Sequence, residues 1–132
     1  MIRSISKDLS KILGSSSSTS ISKSITSHYS KDESYHNPKN PDIITFPKST
    51  SDVSEIHKYC HQHDINIIPF GQGSGFEGGV VPQNANQNLN LTIDMMKHMN
   101  KVLKVFPSPD KYAKVEAGVT REQLNDYRVV LD

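Results

Sequence analysis

The stretch Ile67-Ile68-Pro69-Phe70-Gly71-Gln72-Gly73-Ser74-Gly75-Phe76-Glu77-Gly78-Gly79 holds five of the seven glycines in this 132-residue chain, directly after a β-branched, apolar run. Glycine reaches positive φ without a steric penalty and lets the main chain approach a ligand closely, so successive N–H groups can converge on an anion. The stretch therefore reads as a short strand feeding a backbone cradle for a phosphate. A bare turn between two strands needs one or two glycines for positive φ, not five.

Working outward toward the N-terminus, Asn66 to Phe70 is preceded by a helical pattern from about 51 to 63. Ser49, Thr50 and Ser51 offer N-cap oxygens, Asp52 and Glu55 place negative charge on the positive end of the helix dipole, and Val53, Ile56 and Cys60 form the buried stripe. Before that helix, Ile43, Ile44 and Phe46 predict a strand that Pro47 ends, with ordered structure beginning at Asp42. A strand, a helix and a strand in this order imply parallel pairing through a right-handed crossover, which puts the glycine loop at the C-terminal end of a parallel strand.

On the C-terminal side, Leu89, Leu91 and Ile93 alternate with polar residues, as in a half-buried strand. Val102 to Phe106 and Tyr112 to Ala117 flank Pro107-Ser108-Pro109-Asp110, the signature of a hairpin. Thr120 followed by Glu122 and Gln123 starts a helix that reaches Asp126 or beyond. The chain stops at Asp132 soon after, which reads as a truncated product.

Gly73-Ser74-Gly75-Phe76-Glu77-Gly78 spells Gly-x-Gly-x-x-Gly, but a Rossmann fingerprint must open a helix that holds the pyrophosphate on its N-terminus. Gly79-Val80-Val81-Pro82 and an asparagine- and glutamine-rich stretch follow instead. A P-loop would need a Gly-Lys-Ser or Gly-Lys-Thr ending, and none is present. What remains is a loop that grips pyrophosphate with its own amides.

The first 30 residues differ in kind: twelve are serine and only Asp8 is acidic. Ile2, Ile5, Leu9, Ile12 and Leu13 fall on one side of a helix, with Arg3, Lys7 and Lys11 on another, as in a mitochondrial transit peptide. Plain serine-rich disorder is the alternative reading. Residues 1–30 are thus expected to lie outside the packed domain, 31–41 to be a linker, and 42–132 to form the domain. A formal net charge of +1 gives no basic surface for nucleic acid, and the single Cys60 excludes a disulfide framework. No apolar run approaches the ~20 residues of a transmembrane span. His57, Cys60, His61 and His63 are a weak metal candidate without the glutamate of a His-Glu-x-x-His site, so no metal is expected. Met95, Met96 and Met99 read as packing residues.

Pro47-Lys48-Ser49-Thr50 ahead of a helix, Ile67-Ile68-Pro69-Phe70-Gly71, the loop to Gly79, Leu91-Thr92-Ile93-Asp94 and Val115-Glu116-Ala117-Gly118-Val119-Thr120 together resemble the vanillyl-alcohol-oxidase-type (PCMH-type) FAD-binding domain. The likeness runs from about Asp32 to Tyr127, includes Asp32-Glu33-Ser34 and Phe76-Glu77-Gly78-Gly79, and is nearest to the FAD-dependent D-lactate dehydrogenase (cytochrome) group. The resemblance implies an α+β fold, the N-terminal subdomain of such a domain, with a β-α-β unit and glycine loop followed by antiparallel strands. It implies FAD as cofactor, with Phe70, Gly71, Gln72, Gly73, Ser74 and Gly75 wrapping the pyrophosphate and Glu77, Gly78 and Gly79 completing the turn. Gly118, Val119 and Thr120 match a second flavin-side segment. It also implies a D-2-hydroxy acid substrate, cytochrome c as electron acceptor and a mitochondrial location, with the cytoplasm as the alternative. The catalytic histidine and metal ligands of that group lie in segments beyond Asp132, so no catalytic residue is assigned here. Such a fragment, a non-catalytic nucleotide-binding remnant in the alternative reading, is expected to hold FAD weakly or not at all. Nothing in these residues separates D-lactate from other hydroxy acids.

Overall fold

The computed structural model describes residues 1–83, 86–106, 109 and 111–129, with 128 and 129 described by their backbone alone. Pro107, Ser108 and Asp110 of the expected hairpin turn and residues 130–132 lie outside these.

Four strands form the main sheet in the order β1-β2-β4-β3, where β1 is Thr19–Ser20, β2 Ile43–Thr45, β3 Asn66–Phe70 and β4 Asn90–Asp94. Strands β2 and β3 are parallel, as expected, but they do not pair with each other. Strand β4 lies between them, with Ile43 opposite Leu91 on one side and Ile67 opposite Leu91 on the other. This central place corrects the half-buried reading of β4: all five of its residues are buried, Thr92 included, because both neighbours and both faces are covered.

Helix α3, Thr50–Gln62, follows β2 where its cap signals put it. The Ser49 hydroxyl accepts the Asp52 N–H at 3.1 Å, and the Asp52 carboxylate accepts the Lys48 N–H at 2.8 Å. Its buried face is Ile56, Tyr59 and Cys60, with Val53 only half-buried. The helix ends at His63, after which Asp64 takes φ of 51° and turns the chain into β3.

The largest departure lies in the first 41 residues, and it overturns the expectation of an unpacked leader and linker. Residues Ile2–Ile12 form helix α1, whose Ile5 and Leu9 enter the same core as Ile43, Ile56, Tyr59, Cys60, Leu91 and Ile93. Leu9 is 0% exposed, and burial of a leucine contributes about 1.5–3 kcal/mol. The Tyr59 hydroxyl donates to Asp8 at 3.0 Å, joining α1 to α3. The serines do not prevent packing because they satisfy one another: the Ser6 and Ser10 hydroxyls meet Thr19 Oγ1 at 2.9 and 2.8 Å. Thr19 and Ser20 then add an antiparallel edge to β2. After the short helix α2, Lys23–Thr26, Tyr29 sets its ring edge-on to Phe70 and Phe46. Ordered structure thus begins at the first helix, not at Asp42.

Beyond the sheet, β5, Val102–Phe106, and β6, Tyr112–Val115, pair antiparallel as a separate ribbon, β6 ending two residues earlier than expected. Helix α4, Arg121–Val129, opens with a reciprocal cap in which Thr120 Oγ1 accepts the Gln123 N–H and Gln123 Oε1 accepts the Thr120 N–H. The α+β class and the β-α-β unit with its glycine loop hold.

Candidate functional site

Strand β3 delivers the chain to the edge of the sheet at Phe70, whose carbonyl accepts the Met95 N–H at 3.0 Å. From Gly71 to Glu77 the backbone then runs exposed, with only Gly73 half-buried. Among the described residues, no main-chain N–H from Gly71 to Glu77 donates a hydrogen bond within the protein. The carbonyls are treated differently: Gly75 O is taken by the Glu33 N–H and Gly78 O by the Val81 N–H, both at 3.0 Å. The unpaired donors of this run are the groups an anion needs.

The glycines divide into two sets by the reason each is needed. Gly73 and Gly78 have φ of 68° and 74°, which strains any other residue. A Cβ at Gly73 would also stand 2.8 Å from the Phe70 ring, and one at Gly78 would overlap the His36 ring. Gly118 needs its hydrogen for a different reason, since a Cβ there would overlap the Met95 carbonyl. These three are demanded by the fold. Gly71 and Gly79 are not: neither has positive φ, and among the described residues nothing lies within 4 Å of where a Cβ would go. The space that glycine keeps clear at these two positions is open to the outside. Open space beside unpaired amides leaves room there for an anionic ligand such as a pyrophosphate.

The sequence-derived site residues Phe70, Gly71, Gln72, Gly73, Ser74, Gly75, Glu77, Gly78 and Gly79 form one continuous loop. No helix follows it among the described residues from 79 to 90, so the Rossmann alternative falls. Gly118 reaches the root of the loop through Met95, which it abuts and whose N–H is held by Phe70. The Gly118 N–H is itself bound to the Met99 carbonyl at 2.7 Å, so it is committed to the fold. Val119 and Thr120 are half-buried, with Thr120 occupied in capping α4.

Three residues around the loop were given no role by sequence reasoning. Tyr29 donates its hydroxyl to Asp94 Oδ2 at 2.6 Å, while Asp94 Oδ1 accepts the Met96 and Lys97 N–H groups at 2.7 and 3.0 Å. Burial first, then the bond to and the charge of Asp94, push the Tyr29 hydroxyl pKa far up, so it stays a donor. Asp32 is buried beneath the loop. Hydrogen bonding by Ser34, aided by the main chain of Ser34 and Gly78, holds its carboxyl below the usual carboxylate range against desolvation. His36 stacks on Tyr35 and fills the space under Gly78. Asp32 belongs to a recognisable triplet, Asp32-Glu33-Ser34. Tyr29 and His36 carried no local signal.

The residues of the weak metal candidate part company. Cys60 is in the core, His57 Nδ1 is spent on the Val53 carbonyl at 2.8 Å, and His63 packs on Tyr59. Among the described residues no group of three or more His, Cys, Asp or Glu is placed to hold a metal ion.

Residues 41–129 match the family described as FAD binding domain. The probable mitochondrial D-lactate dehydrogenase of Danio rerio is 36% identical over 108 residues, covering 82% of this chain and 20% of that protein. The mitochondrial D-lactate dehydrogenase [cytochrome] 1 of Saccharomyces cerevisiae is 39% identical over 95 residues, 70% of this chain and 16% of that protein. Among solved structures, an alkyldihydroxyacetonephosphate synthase superposes with a TM-score of 0.84 at 22% identity, over 98% of this chain and 25% of its own. The last likeness extends across α1, so the N-terminal helix lies within the shared fold.

Proposed function

This chain belongs to the FAD binding domain family, and from that premise we propose that it is the pyrophosphate-gripping part of a flavoprotein that oxidises a D-2-hydroxy acid. D-lactate, converted to pyruvate, is the foremost substrate, and cytochrome c the acceptor, by similarity to the zebrafish and yeast proteins. The chain spans about one fifth or less of the length of these relatives. Its own share of the work is to hold the cofactor.

The observation that supports this best is the run of unpaired N–H groups from Gly71 to Glu77 beside the clear space at Gly71 and Gly79. In this reading Gly71, Gln72, Gly73, Ser74 and Gly75 donate to the pyrophosphate of FAD. Phe70 anchors the loop to the sheet, and Glu77, Gly78 and Gly79 close the turn. Gly118 abuts Met95 at the root of the loop and Thr120 caps α4, and with Val119 between them they make the second flavin-side segment of this reading. Bound FAD would supply the redox chemistry, taking up the hydride of the hydroxy acid. The mitochondrial naming of both relatives supports a mitochondrial location.

Titration of FAD into the purified chain, followed by flavin fluorescence, tests this. Weak, saturable quenching is expected, and Gly71→Val, whose side chain would fill the cradle without touching the fold, should abolish it. No response of the wild-type chain even at millimolar FAD, or an unchanged response in Gly71→Val, would overturn the assignment.

A further inference from the structure

Residues 32–36 lie more than forty positions before the tip of the glycine loop and touch it at two points. Asp32 is 8% exposed, and its Oδ1 accepts the Ser34 N–H at 3.0 Å. Its Oδ2 is buried without a hydrogen-bond partner and faces Gly75, 3.7 Å from where a Cβ on that glycine would sit. Next to it the Glu33 N–H holds the Gly75 carbonyl at 3.0 Å. Four residues on, the His36 ring occupies the space under Gly78, steadied by Tyr35 at a centroid distance of 4.4 Å. The segment thus holds one loop carbonyl, that of Gly75, and packs beneath Gly78, while the amides from Gly71 to Glu77 stay unpaired.

We infer that Asp32 and His36 are positioning residues for the pyrophosphate loop, a saddle that fixes its amides in the anion-receiving orientation from beneath. The geometry stands by itself, while its consequence for FAD rests on the flavin reading above. Two effects of Asp32 oppose each other. As a buried anion behind an anion site it repels the pyrophosphate, which removal of its charge would relieve. As a carboxylate whose Oδ1 accepts the Ser34 N–H, it shapes the turn that presents the Glu33 N–H to the Gly75 carbonyl, a role an asparagine amide, half donor itself, fills less well. The two effects give Asp32→Asn opposite signs. A misplacement of donors by about 1 Å can cost on the order of 100-fold in a positioned site, and the inferred role requires that ordering outweigh repulsion.

The test uses the whole 132-residue chain as wild type, Asp32→Asn and His36→Ala. Amide hydrogen exchange at Glu33 and Val81, the two donors that tie down the loop carbonyls, should accelerate about tenfold or more in both variants, while Ile68 and Thr92 in the sheet keep their protection. FAD affinity should fall about tenfold in each. Unchanged exchange at Glu33 and Val81 would overturn the inference, and so would equal or tighter FAD binding by Asp32→Asn. Should Asp32→Asn unfold the sheet, His36→Ala decides by the same two readouts. A wild-type chain that binds no FAD would remove the flavin reading alone, because the exchange measurement needs no flavin.

Discussion

The serine-rich N-terminal segment and the glycine loop are both polar, low in apolar content and without regular periodicity over most of their length, yet they do opposite things. In the first, the Ser6, Ser10 and Thr19 hydroxyls beside the core pair with one another, and two apolar residues spaced four apart pin a helix into the core. In the second, the donors are left without partners and the surface is open. Composition measured over a window is blind to this difference. What separates structure from site is the fate of each polar group: paired groups build, and unpaired ones at the end of a strand receive.

Truncating each region should separate them most sharply. Leu9→Ala should cost about 2–5 kcal/mol in urea unfolding, because the cavity opens among Ile43, Ile56 and Leu91. Gly71→Val should leave the unfolding midpoint within about 0.5 kcal/mol while removing the flavin response, as an exposed change does. An unfolding midpoint that ignores Leu9→Ala would mean that α1 does not belong to the cooperative unit.

Tyr29 couples the two regions, since it leaves the N-terminal segment to reach Asp94 beside the root of the loop. Tyr29→Phe keeps the ring contacts and strips one donor from a buried carboxylate, at an expected cost of about 1–3 kcal/mol. If stability falls but FAD binding per folded molecule does not, the coupling is purely structural.

A smaller effect is expected from alkaline pH at the N-terminal interface. Burial pushes the Cys60 thiol up to about 11, and burial with the bond to Asp8 pushes the Tyr59 hydroxyl up to about 12. Both folded values lie above the unfolded ones, so the stability they carry is complete below pH 9 and is lost as pH rises through about 9 to 12. Chemical unfolding across that range should show the decline, with Cys60→Ala flattening its lower half. A flat profile would remove Cys60 and Tyr59 from the buried interface.

How much of this was legible follows from range. The elements α3, β3, β5 and α4 announce themselves through alternation and through caps within three residues, as with Ser49 and Asp52 or Thr120 and Gln123. The loop declared itself by its glycines. Strand order did not, because the insertion of β4 between β2 and β3 depends on which apolar faces meet, and Ile43, Ile67 and Leu91 look alike in sequence. Tyr29, Asp32 and His36 went without roles because their partners are more than forty residues away. Helix α1 showed its amphipathic pattern openly. The serines between its apolar residues concealed that the pattern has a place inside the protein.

Under the mitochondrial location proposed above, two readers would compete for one surface. If the location proposed above is right, an import receptor that recognises the apolar side of α1 must meet Ile5 and Leu9 before the sheet does, since after folding Leu9 faces no solvent. Delivery and folding then become a race, and whatever delays the closing of α1 over Ile43 and Ile56 lengthens the time in which the chain can be addressed.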